Sequence, residues 1–110
     1  MKPLSEHMTV LIATAEDMMR RPVHQIPTHL PAGFSEVAAA IRQADNSPCD
    51  ADVRTTRPAV VMCTAIEGFF AEPQSDCHWQ MLIGATLPLL RRAAWQTLRN
   101  ERAVSGETRR

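Results

Sequence analysis

Eight prolines divide this 110-residue chain into stretches that must fold separately. A proline has no amide to donate and its ring clashes with the carbonyl four residues back. It is admitted to the first turn of a helix and costs about 3 kcal/mol in a helix interior. Pro22, Pro27 and Pro31 end one stretch, Pro48 a second and Pro73 a third, while Pro58 and Pro88 fall among apolar residues.

Between the breaks the apolar residues recur at helical spacing. Ser5 is placed to cap a first helix reaching about Arg21, with Leu4, Met8, Leu11, Ile12, Ala15, Met18 and Met19 on one face and Val10 opposite, beside Asp17. The run Val10, Leu11, Ile12 makes a strand over residues 8–13 the rival reading, but the period-2 alternation of a half-buried strand is missing. The segment from Pro22 to Gly33, with His24 and His29, reads as an extended connector. Ser35 is placed to cap a second helix that ends near Asp45, with Phe34, Val37, Ala38, Ile41 and Ala44 on its apolar face. A polar loop from Asn46 to Thr56 leads into a third helix starting at Thr56 or Arg57, with Pro58 in its first turn and Val61, Met62, Ala65, Ile66, Phe69 and Phe70 on one side. The last element starts at Ser75 and reaches about Arg102, with Trp79, Leu82, Ile83, Thr86, Leu90, Ala93, Ala94 and Thr97 on one face. Gly84 and Pro88 inside it predict a kink near residues 84–87 or a break into two helices.

The expected fold is therefore all-α: a single domain over residues 1–110, a bundle of four to five helices with a Pro-rich connector and a frayed tail from about residue 104. The apolar faces of the first, third and last helices are expected to form its core, with Met8, Met18, Met19, Met62 and Met81 as adaptable packing. No apolar run approaches the length of a membrane span, and the opening residues 1–6 carry no apolar signal core, so a cytoplasmic protein is expected.

Twelve basic and twelve acidic residues cancel, but not evenly along the chain. Residues 1–75 hold six basic and nine acidic groups, and residues 76–110 hold six and three, leaving net charges of −3 and +3. All basic residues except Lys2 are arginine.

Chemistry-bearing motifs are sparse. Cys49, Cys63 and Cys77 are an odd set without a CxxC pair, which argues against a disulfide framework, and Cys63, with Cys77, reads as a small buried hydrophobe. Cys77 and His78, as helical neighbours, point about 100° apart and suit a shared metal poorly. His24 and His29 would meet at a metal only if the chain bent back, and Asp45, Asp50 and Asp52 do not fit a calcium loop. The four glycines are scattered singly, no GxSxG or HExxH occurs, and His7, His24, His29 and His78 lie in different elements. No enzyme, metal or cofactor is expected.

The residue that asks for an explanation is Trp95. On a helical wheel it lies about 160° from Trp79, opposite the apolar stripe, with Met81, Pro88, Arg91, Arg92, Arg99 and Arg102 around it. Trp and Arg are enriched at binding hot spots, which makes this face a candidate interface. Burial of Trp95 under the Pro22–Pro31 connector, or its rotation inward at the Pro88 kink, is the alternative. Six arginines over residues 91–110 also suggest a small nucleic-acid-binding accessory protein using Arg91, Arg92, Arg99 and Arg102, although Glu101 and Glu107 dilute that charge.

In size, in its opening Met1–Ile12 stretch and in the segment Leu89–Leu98 (LLRRAAWQTL), the chain resembles the QslA-type bacterial anti-activators that bind LuxR-type quorum-sensing regulators. The resemblance implies action without chemistry, by occupying the regulator's dimerisation surface and so preventing its DNA binding. Trp95, Arg92, Leu98 and Arg99 are then the natural anchors, with Arg102 and Met81 flanking them. Self-association as a homodimer is expected, since a small bundle with a spare apolar strip gains by burying it.

Overall fold

The computed structural model describes residues 3–20, 30–46, 53–71 and 78–108, without the side chains of 53–55 and 104–108. The described residues form four helices and no strand: α1 (Leu4–Arg20), α2 (Phe34–Asn46), α3 (Val53–Ala71) and α4 (His78–Thr108). Most of the Pro-rich connector, with His24 and His29, lies outside the described residues, as do Cys49, Cys77 and Ser75.

The buried residues follow the 3.6-residue period of each helix. Met8, Leu11, Ala15 and Met18 from α1 meet Phe34, Val37, Ala38 and Ile41 from α2 and Ala59, Met62, Cys63, Ala65, Ile66 and Phe69 from α3. From α4 come Ile83, Leu87, Leu90, Ala93 and Ala94. Side chains such as Leu11, Ile41, Ile66 and Leu90 are fully buried, and each contributes about 1.5–3 kcal/mol. The second helix, which was not expected to join the core, thus supplies as many buried apolar residues as α1, though fewer than α3 and α4. Met8, Met18 and Met62 are interior as expected, but Met19 and Met81 are exposed. Thr97, buried on the inner face of α4, satisfies its hydroxyl by donating to the Ala93 carbonyl at 2.8 Å.

The helix ends differ from the sequence expectation in an instructive way. Ser5 does not cap α1: the Pro3 carbonyl accepts the amides of Glu6 and His7, and Ser5 lies inside the first turn. There the carboxylate of Glu101, near the far end of α4, accepts the Ser5 amide at 3.1 Å and the Ser5 hydroxyl. A carboxylate at a helix N-terminus answers both the free amide and the positive end of the macrodipole. Ser35 does not cap α2 either. The chain turns at Gly33, whose φ of 85° favours glycine, and the Gly33 carbonyl accepts the Val37 amide. Helix α3 starts at Val53, so Pro58 is its sixth residue rather than part of its first turn. The extra turn is held by Thr56, fully buried, whose hydroxyl donates to Asp45 of α2 at 2.7 Å.

Helix α4 runs unbroken through Pro88 to Thr108, past the Arg102 expected as its end. Pro88 lies on the exposed side, where solvent can replace the missing amide.

Both α2 and α4 pack on α1 and α3, and among the described residues α2 and α4 make no close backbone approach to each other. Ser5 beside Glu101, Glu16 beside Arg91 at 3.2 Å and Met19 beside Gly84 show α1 running antiparallel to α4. Helix α3 meets α4 where Trp79 lies against Gly68, so closely that a Cβ on Gly68 would come within 2.6 Å of the indole. Helices α2 and α3 are joined by a bidentate pair in which both terminal nitrogens of Arg42 donate to Glu67. This pair holds the Glu67 carboxyl below, and the Arg42 guanidinium above, their ordinary ranges.

Two outcomes test this packing. Gly68→Ala should lower stability by about 1–3 kcal/mol despite alanine's better helix propensity, and a smaller residue at Trp79 should relieve most of the loss. A thermal midpoint that rises in Gly68→Ala would refute the close approach. Because the Glu67 value is lowered on folding, the pair stabilises the protein above the ordinary carboxylate range and the gain is lost as pH falls through that lowered value. With both side chains 39% exposed, the effect should stay below about 1 kcal/mol. Glu67→Gln should therefore shift the urea midpoint at pH 7 and progressively less toward pH 2.

Candidate functional site

The wheel argument for Trp95 holds in three dimensions. With α1 and α3 covering the inner side of α4, no described helix covers the opposite side, and Trp95 stands 57% exposed there. The Arg99 guanidinium, one turn on, lies 4.8 Å from the centre of the indole ring. That separation is within cation–π range and holds two flexible hot-spot side chains in one arrangement.

The other expected anchors divide into three groups. Arg92 and Arg102 are exposed on the same side as Trp95, and no carboxylate pairs with them among the described residues. Leu98 is half-buried, so it offers a partner less surface than Trp95 and is a flank rather than an anchor. Met81 is 72% exposed on the same side but fourteen residues before Trp95, about 21 Å along the axis, so it marks the far end of the face and not the surroundings of the indole. Leu89, 55% exposed between them, was not among the expected anchors. Its exposure follows from its place one residue from Pro88, off the inner stripe.

Arg91 is a structural residue. Its guanidinium lies 3.2 Å from Glu16 of α1, and Glu16 also accepts from Arg20 at 3.0 Å. The basic face of α4 is accordingly smaller than the count of arginines suggested.

Groups with catalytic or ligand potential are dispersed among the described residues. His7 is buried in α1, whereas His78 opens α4 with its ring edge-on to Trp79, centroids 5.0 Å apart. Cys63 is fully buried, and burial pushes its thiol up to about 11, so it stays protonated and packs as a small hydrophobe. No group of three or more His, Cys, Asp or Glu is placed to hold a metal among the described residues. No described helix is long and apolar enough to cross a membrane.

The two tryptophans should report this asymmetry. Iodide, an anion drawn to the arginines, should quench most of the Trp95 emission and little of the emission from Trp79 against Gly68. Trp95→Phe should remove the quenchable fraction, and equal quenching of the remaining tryptophan would contradict the assigned exposures.

Comparison with protein-family models, with curated proteins and with solved structures finds no match for the chain.

Proposed function

We propose that this protein acts without chemistry, as a protein-binding inhibitor that seats the outer face of α4 on its target. One observation carries the reading: Trp95 stands exposed under the Arg99 guanidinium on a helix face that no described helix covers. An aromatic of this size left in water forgoes a large burial gain, which a partner surface restores. The resemblance to QslA-type anti-activators supplies the class of target, a LuxR-type transcriptional regulator whose dimerisation surface is occluded so that DNA is released. In this reading Trp95, Arg92, Arg99 and Arg102 are the contact residues, Leu98 and Met81 lie at the margins, and action is in the cytoplasm. Self-association as a homodimer, expected from the sequence, is a separate proposal that does not use this strip.

The second reading is a nucleic-acid-binding accessory protein. The exposure of Arg92, Arg99 and Arg102 favours it, while the engagement of Arg91 by Glu16 leaves few phosphate contacts. Three contacts correspond to a log–log salt slope of about −3.

The two separate in one experiment. Added to a LuxR-type regulator on its operator DNA, the protein should release the DNA, and Trp95→Ala should weaken that effect by about 2 kcal/mol or more, roughly thirtyfold, with little dependence on salt. Release that is indifferent to Trp95→Ala sinks the anti-activator reading. Binding of the protein to DNA alone, with a steep salt slope, supports the second.

A further inference from the structure

The exposed side of α4 has a regular pattern. Met81, Ala85 and Pro88 are exposed at successive steps of four and three residues, and the same alternation continues without a slip through Arg92, Trp95, Arg99 and Arg102. A 4-3 repeat brings residues to one seam about every 3.5 positions, the spacing at which a second helix can lie alongside and interdigitate. Three heptads of it span about 30 Å, a length suited to a helix of some twenty residues.

The seam is also divided chemically. Its first half is apolar and flanked by exposed Leu89, and its second half is cationic around one indole. Arg20, Arg42 and Arg91 each hold a carboxylate, whereas Arg92, Arg99 and Arg102 hold none among the described residues. The one acidic residue of α4 with a described side chain, Glu101, is turned to Ser5 and adds nothing to this side.

We infer that this seam docks one amphipathic α-helix of a partner protein, apolar against Met81, Ala85 and Pro88 and bearing carboxylates against Arg92, Arg99 and Arg102. Charge complementarity selects this occupant. Carboxylates form strong, charge-assisted bonds with guanidinium groups, and Arg99 over Trp95 is already ordered for one. A nucleic acid would satisfy the arginines and leave the apolar half in water. A second copy fits poorly: laid antiparallel over the full seam, the two strips place Arg92 against Arg92 near the two-fold axis, and laid parallel they oppose all three arginines. The inference rests on the reading of this face as protein-binding and adds the chemistry of what binds.

Two 21-residue helical peptides test it on the full chain. Both carry leucines at 3-4 spacing over one half; over the other half one carries glutamates and the other lysines. The glutamate peptide should bind saturably, at least tenfold tighter than the lysine peptide. The double variant Arg92→Glu/Arg99→Glu, at exposed positions and checked for unchanged helicity, should reverse that preference, and Trp95→Ala should weaken the glutamate peptide. Equal binding of both peptides, binding of neither, a preference that survives the charge reversal, tighter binding of duplex DNA, or dimerisation lost in the double variant would each overturn the inference. Should the regulator assay depend on Trp95 while the glutamate peptide fails to bind, the anti-activator reading stands and this one falls. Should the peptide bind through Trp95 while the regulator is untouched, the reverse holds.

Discussion

The carboxylate of Glu101 joins the first turn of the chain to the far part of its last helix, and the arrangement of the bundle depends on that register. Ninety-six residues separate Ser5 from Glu101 in sequence, so their meeting sets α1 antiparallel on α4 over most of its length. Glu16 against Arg91 and Met19 against Gly84 hold the same register further along. With α1 laid on one flank of α4 and α3 on another through Trp79 and Gly68, the inner side from Ile83 to Thr97 is consumed by the core. What remains is the opposite side, and the position of Trp95 on it follows from helical geometry.

Much of this could be read from the sequence, because the 3.6-residue apolar period is a property of each helix alone. It located four helices, their buried faces, the interior place of Cys63 and the outward direction of Trp95. The helix starts were misread for a physical reason. Ser5 and Ser35 have the side chains that usually cap, but the helices start one residue earlier, at Leu4 and Phe34, so each serine falls inside the first turn, and the local sequence does not show that shift. Pro58 and Pro88 were weighed by their cost in an isolated helix. Packing offsets that cost where Thr56 is anchored by Asp45, and solvent exposure reduces it at Pro88.

Pairings between distant residues were illegible. Arg91 looked like one of a basic cluster until Glu16, seventy-five residues earlier, was placed beside it. Arg42 and Glu67 gave no sign of each other, since nothing but the crossing of α2 over α3 brings them together. The heptad along the exposed side of α4 was visible in principle, but a search for core-forming apolar faces passes over a stripe that changes from methionine to arginine halfway along.

The separation of α2 from α4 has a consequence for substitution. Arg42, paired with Glu67 of α3, influences how firmly the bundle holds, and it lies on a helix that makes no close backbone approach to α4, which carries Trp95. Substitutions in distant, unshared surroundings combine additively. The firmness of the bundle at the α2–α3 crossing and the chemistry of the face around Trp95 are therefore separately adjustable by substitution.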